Sequence, residues 1–253
     1  MRILAIDAGN SRIKWGVHAD GSWEVQGWVE TARAARLRRA WADLEPPAAV
    51  IAANVAGSRV AATVAAAARR FKRRVRFARS ATLQCGVRNS YDHPQQLGPD
   101  RWAALIGARG LHRGACVVVG AGTTLTVDAL SADGVFLGGM IVPGAALMRG
   151  ALARNTARLR PRQGRFAYFP AATADAIESG TVNALAGAVE RMLRFMREAG
   201  EDAPLTVVSG GGARALAPHL NGTVEVVDNL VLEGLVRIAL EPPAASRQPP
   251  AKS

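Results

Sequence analysis

Asp7, Gly9, Asn10 and Ser11 follow the apolar run Met1-Arg2-Ile3-Leu4-Ala5-Ile6 in an order that suits phosphate chemistry. A carboxylate at a strand end can hold a hydrated cation. A glycine lets backbone N–H groups approach phosphate oxygens, and short amide and hydroxyl side chains add donors. The same residues also make an ordinary hairpin turn, so this stretch alone leaves both readings open. The chain then repeats itself: Ala115-Cys116-Val117-Val118-Val119-Gly120-Ala121 is a second apolar strand, followed by Gly122, Thr123 and Thr124. Setting Ala8 over Ala121 gives an offset of 121 − 8 = 113 residues, with a return strand expected after each loop. Two facing copies of one supersecondary unit would aim both loops into one cleft.

Further candidates lie around these loops. Arg12 to Val17 alternates polar and apolar residues as a return strand does, which sets Lys14 beside the first loop; its ammonium can face a phosphate or simply be solvated. The polar stretch Asn89 to Trp102 ends in Gly98-Pro99-Asp100-Arg101, just before a predicted helix over Trp102–Arg109. A carboxylate there serves as a helix cap, and Arg101 and Tyr91 add an anion clamp and a hydroxyl that a cap does not need. Ser209 runs into Gly210-Gly211-Gly212, a strand, glycine turn and helix junction that is weakly suggestive of nucleotide binding.

These residues need elements to hold them. The pattern predicts a helix over 31–44 ended by Pro46-Pro47, a strand over 49–55, a basic helix with Val60, Val64, Ala68 and Phe71 on one face, and a strand over 75–77. After residue 115 the rhythm restarts. A helix begins over Leu147–Leu152, and Arg154 to Gly164 is a basic connection. A long helix follows, whose apolar face is Val182, Leu185, Val189, Met192, Leu193 and Met196. A strand over 205–209, a strand over 224–227 and a helix over 230–240 close the pattern. The expectation is an α/β fold of mixed sheets with covering helices, divided into 1–114 and 115–240, with a disordered tail over 241–253.

A chain of 253 residues that is 49% hydrophobic can bury one large core or two modest ones. The formal charge is +12 and the pI about 11.2. The arginines are spread over several helices and loops, and Arg69–Arg74 and Arg154–Arg165 are locally dense. With aromatics at 5% and no helix-turn-helix, zinc-finger or RNA-binding signature, a surface that attracts anionic substrates is expected rather than specific nucleic-acid binding. No apolar run approaches the roughly 20 residues of a membrane helix, and no signal peptide is read at the start, so a cytoplasmic protein is expected. Cys85 and Cys116 are read as reduced thiols.

Six motifs in order resemble the type III pantothenate kinases of the acetate and sugar kinase, Hsp70 and actin superfamily, over residues 1 to about 240. They are Asp7-x-Gly9-Asn10-Ser11 with Lys14 after it, Gly98-x-Asp100-Arg101 with Tyr91 upstream, Gly122-Thr123-Thr124-Leu125-Thr126, Gly138-Gly139-x-Ile141-x-Pro143-Gly144, Ala176-Ile177-x-x-Gly180-Thr181, and Ser209-Gly210-Gly211. The resemblance implies two ribonuclease-H-like subdomains, each a mixed sheet with helices on both faces, flanking a nucleotide cleft. It implies transfer of a phosphoryl group from ATP to pantothenate, with Mg²⁺, a monovalent cation (K⁺ or NH₄⁺) and a homodimer. It assigns ATP to Asp7, Ala8, Gly9, Asn10, Ser11, Arg12, Lys14, Gly122, Thr123, Thr124, Ser209, Gly210 and Gly211. The metal is assigned to Asp7, pantothenate to Tyr91, Gly98, Asp100, Arg101 and a neighbouring subunit's Thr181, and the general base to Asp100. One departure stands out, because the second loop of the family opens with aspartate and this chain has Gly120. Asp128 is the nearest carboxylate to compensate. A kinase of another small alcohol, or a catalytically weak member with a transcription-related role, are the alternatives that the residues leave open.

Overall fold

The computed structural model describes residues 1–156, 159 and 163–241; most of the expected tail and part of the basic connection before Gly164 lie outside them. The chain opens with β1 (Ile3–Ala8), β2 (Arg12–Ala19) and β3 (Ser22–Glu30), an antiparallel meander. Then come α1 (Leu37–Ala40), β4 (Ala49–Asn54), α2 (Ser58–Ala68) and β5 (Val75–Phe77), with β4 parallel to β1 and β5 parallel to β4. The first sheet runs β3-β2-β1-β4-β5. A small hairpin, β6 (Leu83–Gln84) and β7 (Val87–Asn89), leads to α3 (Pro99–Leu111).

The second half repeats the plan. β8 (Cys116–Ala121), β9 (Thr124–Leu130) and β10 (Val135–Pro143) form a meander, and α4 (Ala145–Asn155) and α5 (Thr173–Glu198) follow. Next are β11 (Leu205–Ser209), α6 (Ala213–Leu216), β12 (Val224–Val226) and α7 (Leu230–Leu240). Its sheet runs β12-β11-β8-β9-β10-β7-β6, the mirror listing of the first sheet with the β6–β7 hairpin added at one edge. The offset of 113 holds on the first strand of each meander and falls to 112 on the return strand, where Ala8 faces Ile13 and Ala121 faces Leu125. The second loop is therefore one residue shorter.

Helices cover both faces of each sheet. α1 and α2 bury Leu37, Trp41, Val64 and Phe71 on one face of the first sheet, against Leu4, Ile6 and Ala8. α5 and α6 bury Leu185, Val189 and Leu216 on the outer face of the second, against Val117 and Val119. α3 and α7 fill the space between the sheets, where Trp102, Leu105 and Leu235 meet Ile3, Ala5, Ile51 and Val118. Elements cross the division at residue 114: β7 pairs with β10, and α7 packs on β1 and β4.

Two expectations change. The helix over 31–44 is a 3₁₀ stretch, Thr31–Arg36, kinked at Arg33, followed by the four-residue α1. Its buried anchors are only Ala34, Leu37 and Trp41, too few to hold a regular helix of that length. The β6–β7 hairpin had no visible pattern, because strands of two and three residues are too short for alternation; its turn, Cys85-Gly86, takes φ of 49° and 76°.

α3 and α7 cross backbone to backbone. A Cβ at Gly107 would stand 2.5 Å from the Leu230 carbonyl oxygen, and one at Gly234 would overlap the Ala103 carbonyl. Gly234→Ala is expected to destabilise the protein by about 3 kcal/mol through overpacking. The shift in urea midpoint measures this, and an unchanged midpoint contradicts the crossing.

Candidate active site

β1 alternates, sending Leu4, Ile6 and Ala8 toward α1 and α2 and Ile3 and Ala5 toward α3 and α7. Asp7 follows the second set and points into the space between the sheets. The turn after it is closed by Gly9 N donating to Arg12 O at 3.1 Å, with the Thr31 hydroxyl donating to Gly9 O at 2.7 Å and Thr31 N to Ser11 O at 3.1 Å. Lys14 faces Asp7 across the β1–β2 pair.

Asp100 reaches the same space from the first turn of α3. Gly98 precedes the helix and Pro99 occupies its first turn, where a missing N–H costs nothing. Asp100 Oδ1 accepts from Arg101 N at 2.9 Å. A Cβ at Gly98 would come 2.6 Å from that oxygen, so the glycine leaves the carboxylate room. Burial first, and the Asp100 charge second, push the Asp7 carboxyl from 3.8 up to about 7, with Lys14 opposing. Two carboxylates sharing a half-buried site, faced by one lysine, suit a hard cation and its phosphates. Among the described residues no group of three His, Cys, Asp or Glu could hold a metal, so one bound by Asp7 would keep water and phosphate ligands, as Mg²⁺ does.

The second loop closes against the first. Ser11 Oγ and Thr123 Oγ1, equivalent positions under the offset of 112, are 2.7 Å apart. Gly122 N donates to Thr124 O at 3.0 Å, and Gly144 N to Thr123 O at 3.0 Å. Gly144 must lack a side chain, because a Cβ there would stand 2.5 Å from Gly122 O. Gly210, at φ 106°, lies over the end of β8, and Gly212 N donates to Ala121 O at 2.9 Å. Ala8, Gly9, Asn10, Ser11, Gly122, Thr123, Thr124, Gly210 and Gly211 thus gather around one cleft mouth. Arg12 bridges it: its guanidinium lies 4.5 Å from the Trp28 ring centroid, and Nη1 is 4.0 Å from where a Gly211 Cβ would sit.

Other expected site residues have different surroundings. Asp128, the carboxylate named to compensate for Gly120, is buried and committed to Arg101, whose Nε donates to Oδ1 and Oδ2 at 3.2 and 3.1 Å and whose Nη2 closes a second contact. The negative charge of Asp128 is thereby matched by Arg101. Arg101 is correspondingly not an open anion clamp. Burial works against its charge, and the Asp128 hydrogen bonds and charge outweigh that, holding the guanidinium protonated, with Tyr91 beside it. Gly139, opposite Asp128 on β10, makes the pair possible, since a Cβ there would overlap Asp128 Oδ1. At Gly120 a Cβ would meet the Thr126 hydroxyl at 2.6 Å, so Thr126 occupies the space an aspartate stem would need. Ser209 is buried, and its hydroxyl accepts from Leu230 N at 3.3 Å, seating the start of α7. Thr181 lies on α5 with its hydroxyl donating to Ile177 O at 2.8 Å, lining a cavity of about 880 Å³ together with Pro143, Leu147, Met148 and Ile177. Thr31 and Trp28 were missed by the sequence reading, since neither lies in a motif and each meets its partner only through strand pairing.

The family model for type III pantothenate kinase matches residues 3–195. A protein of Aromatoleum aromaticum named type III pantothenate kinase is 49% identical over 243 residues, covering 96% of this chain and 100% of that protein. One of the same name from Nitrosospira multiformis is 45% identical over 239 residues, covering 94% and 91%. Among solved structures, a Campylobacter jejuni protein provisionally named a Baf family transcriptional activator superposes with a TM-score of 0.61 at 20% identity, over 93% of this chain and 96% of that one. MreB 5 of Spiroplasma citri, solved with AMPPNP, gives 0.51 at 10% identity, over 92% and 94%. These likenesses show the fold, the paired-sheet architecture of sugar kinases and actin-like proteins.

A raised carboxyl in the folded state stabilises below its unfolded value and loses that contribution as pH rises through its folded value. Asp7 should therefore make the ligand-free protein lose stability between about pH 4 and about pH 7. Urea midpoints across that range should fall less steeply in Asp7→Asn than in the parent; parallel curves would show that Asp7 is not buried beside Asp100 as described.

Proposed function

The chain belongs to the type III pantothenate kinase family, and we propose that the cleft at its two glycine loops is where it phosphorylates pantothenate with ATP. The reaction gives 4'-phosphopantothenate and opens coenzyme A synthesis. Phosphoryl transfer asks mainly for alignment and charge stabilisation. The observation that supports this site is the convergence of Asp7, Lys14 and Asp100 beneath loops held together by Ser11 and Thr123.

Each residue then has a task. The polar groups of Asn10, Ser11, Thr123 and Thr124 hold the phosphates, taking up the Ser11–Thr123 contact between them, while Gly9 N and Gly122 N close the two turns. Lys14 answers their negative charge. Asp7 would hold Mg²⁺, which when bound neutralises charge on the phosphates. Asp100 accepts the proton of the pantothenate hydroxyl, its position fixed by α3. The Arg101–Asp128 pair braces the first turn of α3, and Tyr91 beside it lines the pantothenate side. Ser209 serves the adenosine side indirectly, by seating α7 under Gly210 and Gly211. Arg12, supported by Trp28, closes over that side.

The proposal extends to a homodimer in which Thr181 serves the neighbouring subunit, supported by the apolar cavity between α4 and α5 that it lines. K⁺ or NH₄⁺ as an activating cation and a cytoplasmic setting complete it; among the described residues no helix is long and apolar enough to cross a membrane.

Pantothenate-dependent release of ADP tests the activity. Asp100→Asn should lower turnover by about 10² to 10⁴-fold while ATP binding persists, as expected for loss of a general base. Near-normal turnover would remove Asp100 from that role. Mixing Asp100→Asn with Thr181→Val should recover activity that neither variant shows alone if Thr181 acts across subunits, and no recovery would remove the shared site.

A further inference from the structure

Residues 31–74 carry ten arginines and lysines against Asp43 and Glu45, a net charge of +8 out of +12 for the whole chain. All ten cations are exposed: Arg33, Arg36, Arg38, Arg39 and Arg59, then Arg69, Arg70, Lys72, Arg73 and Arg74. Along the sequence they are scattered over two segments. The fold brings the segments together, because the 3₁₀ stretch and α1 pack beside α2 over one face of the first sheet. The Trp41 and Phe71 rings meet at 6.1 Å, and the Arg70 guanidinium donates to Ala42 O and Leu44 O at 2.6 and 2.8 Å. Arg38 and Arg39 are thereby joined to Lys72, Arg73 and Arg74. Among the described residues the carboxylates give little relief: Arg33 pairs with Glu30, and Glu45 turns to Arg2.

Topology places seven of these cations, Arg38, Arg39, Arg69, Arg70, Lys72, Arg73 and Arg74, away from the chemistry. β3 ends at Glu30, opposite Arg12, and β4 ends at Asn54, opposite Ala8, so both helical segments start at the cleft end of the sheet. α2 spans 11 residues, about 16 Å, and delivers Arg69 to Arg74 to the far end. α1 likewise leads back to the start of β4. A surface there is set apart from the cleft mouth by the length of α2.

We propose that this far end is a docking surface for double-stranded nucleic acid, held through its phosphate backbone without reading sequence. Charge complementarity carries it. Six of the seven far-end cations are arginine, whose planar fork matches phosphate oxygens two at a time. The large exposed apolar side chains of the described residues include none from 31–74. The face thus has no aromatic platform on which single-stranded bases stack and no apolar wedge to enter a bilayer, which leaves a duplex backbone as the matching polyanion.

The test is anisotropy of a fluorescein-labelled 30-base-pair DNA duplex titrated with the full chain at 50, 100 and 200 mM KCl, without nucleotide. With about six phosphate contacts, affinity should fall about a thousandfold between 50 and 200 mM, equally for two unrelated sequences. Arg38→Gln/Arg39→Gln/Arg73→Gln/Arg74→Gln should weaken binding at least 100-fold at 100 mM KCl. Its pantothenate kinase turnover should stay at the parental level, which also reports that it is folded. Removing the same charge from α5 and the α3–β8 loop, by Arg113→Gln/Arg191→Gln/Arg194→Gln/Arg197→Gln, should change binding less than threefold. Equal losses in both variants, no loss in the first, a strong sequence preference, or tighter binding to phosphatidylserine vesicles than to duplex would each overturn the proposal. None of these outcomes depends on whether the cleft is assigned correctly.

Discussion

The backbone-to-backbone crossing of α3 and α7 is the constraint on which the rest of the molecule depends. Gly107 and Gly234 let the two helices approach until carbonyl oxygens occupy the space side chains would need. Closely packed, the pair is thin enough to lie between two sheets and bury apolar faces on both. α3 then aims its first turn, with Asp100, at the end of β1, and α7 starts beneath the glycine loop after β11. Moving either helix outward would separate Asp100 from Asp7 and lift Gly210 from Ala121.

Around that crossing the charges are arranged in series. Burial raises the Asp7 and Asp128 carboxyls, and the charge of Asp100 adds to both. Asp128 is compensated by Arg101, at the cost of burying two ions that must stay paired. Asp7 has only Lys14 opposite and remains the electrostatically unsatisfied member, which is the condition a bound cation and phosphates relieve. Position along α3 separates the roles: Asp100 faces the cleft, and Arg101, one residue on, is turned inward to the second sheet.

The two loops are related but unequal. Each is a strand, a glycine turn and a return strand, and they meet through Ser11 and Thr123. The first retains its carboxylate. In the second, Gly120 leaves its space to the Thr126 hydroxyl, and the loop is shorter by one residue. Under the proposed function, the jaw that carries Asp7 bears the ionic work and the other supplies hydrogen-bond donors.

The sequence by itself determined what is written in consecutive residues: the two loops and their internal repeat, the order of motifs that marks the family, and most of the strands and long helices through their apolar spacing. These follow from local backbone chemistry and from burial of one face, and neither needs knowledge of distant partners. Only the tertiary structure decided that Asp128 belongs to Arg101, that Ser209 seats α7, and that Thr31 buttresses Gly9. It also decided that the β6–β7 hairpin joins the far sheet and that the arginines of 31–74 form one face. Each of these depends on strand register or helix packing between residues tens of positions apart, and a side chain has no way to signal in advance which of several reachable partners the fold will set beside it.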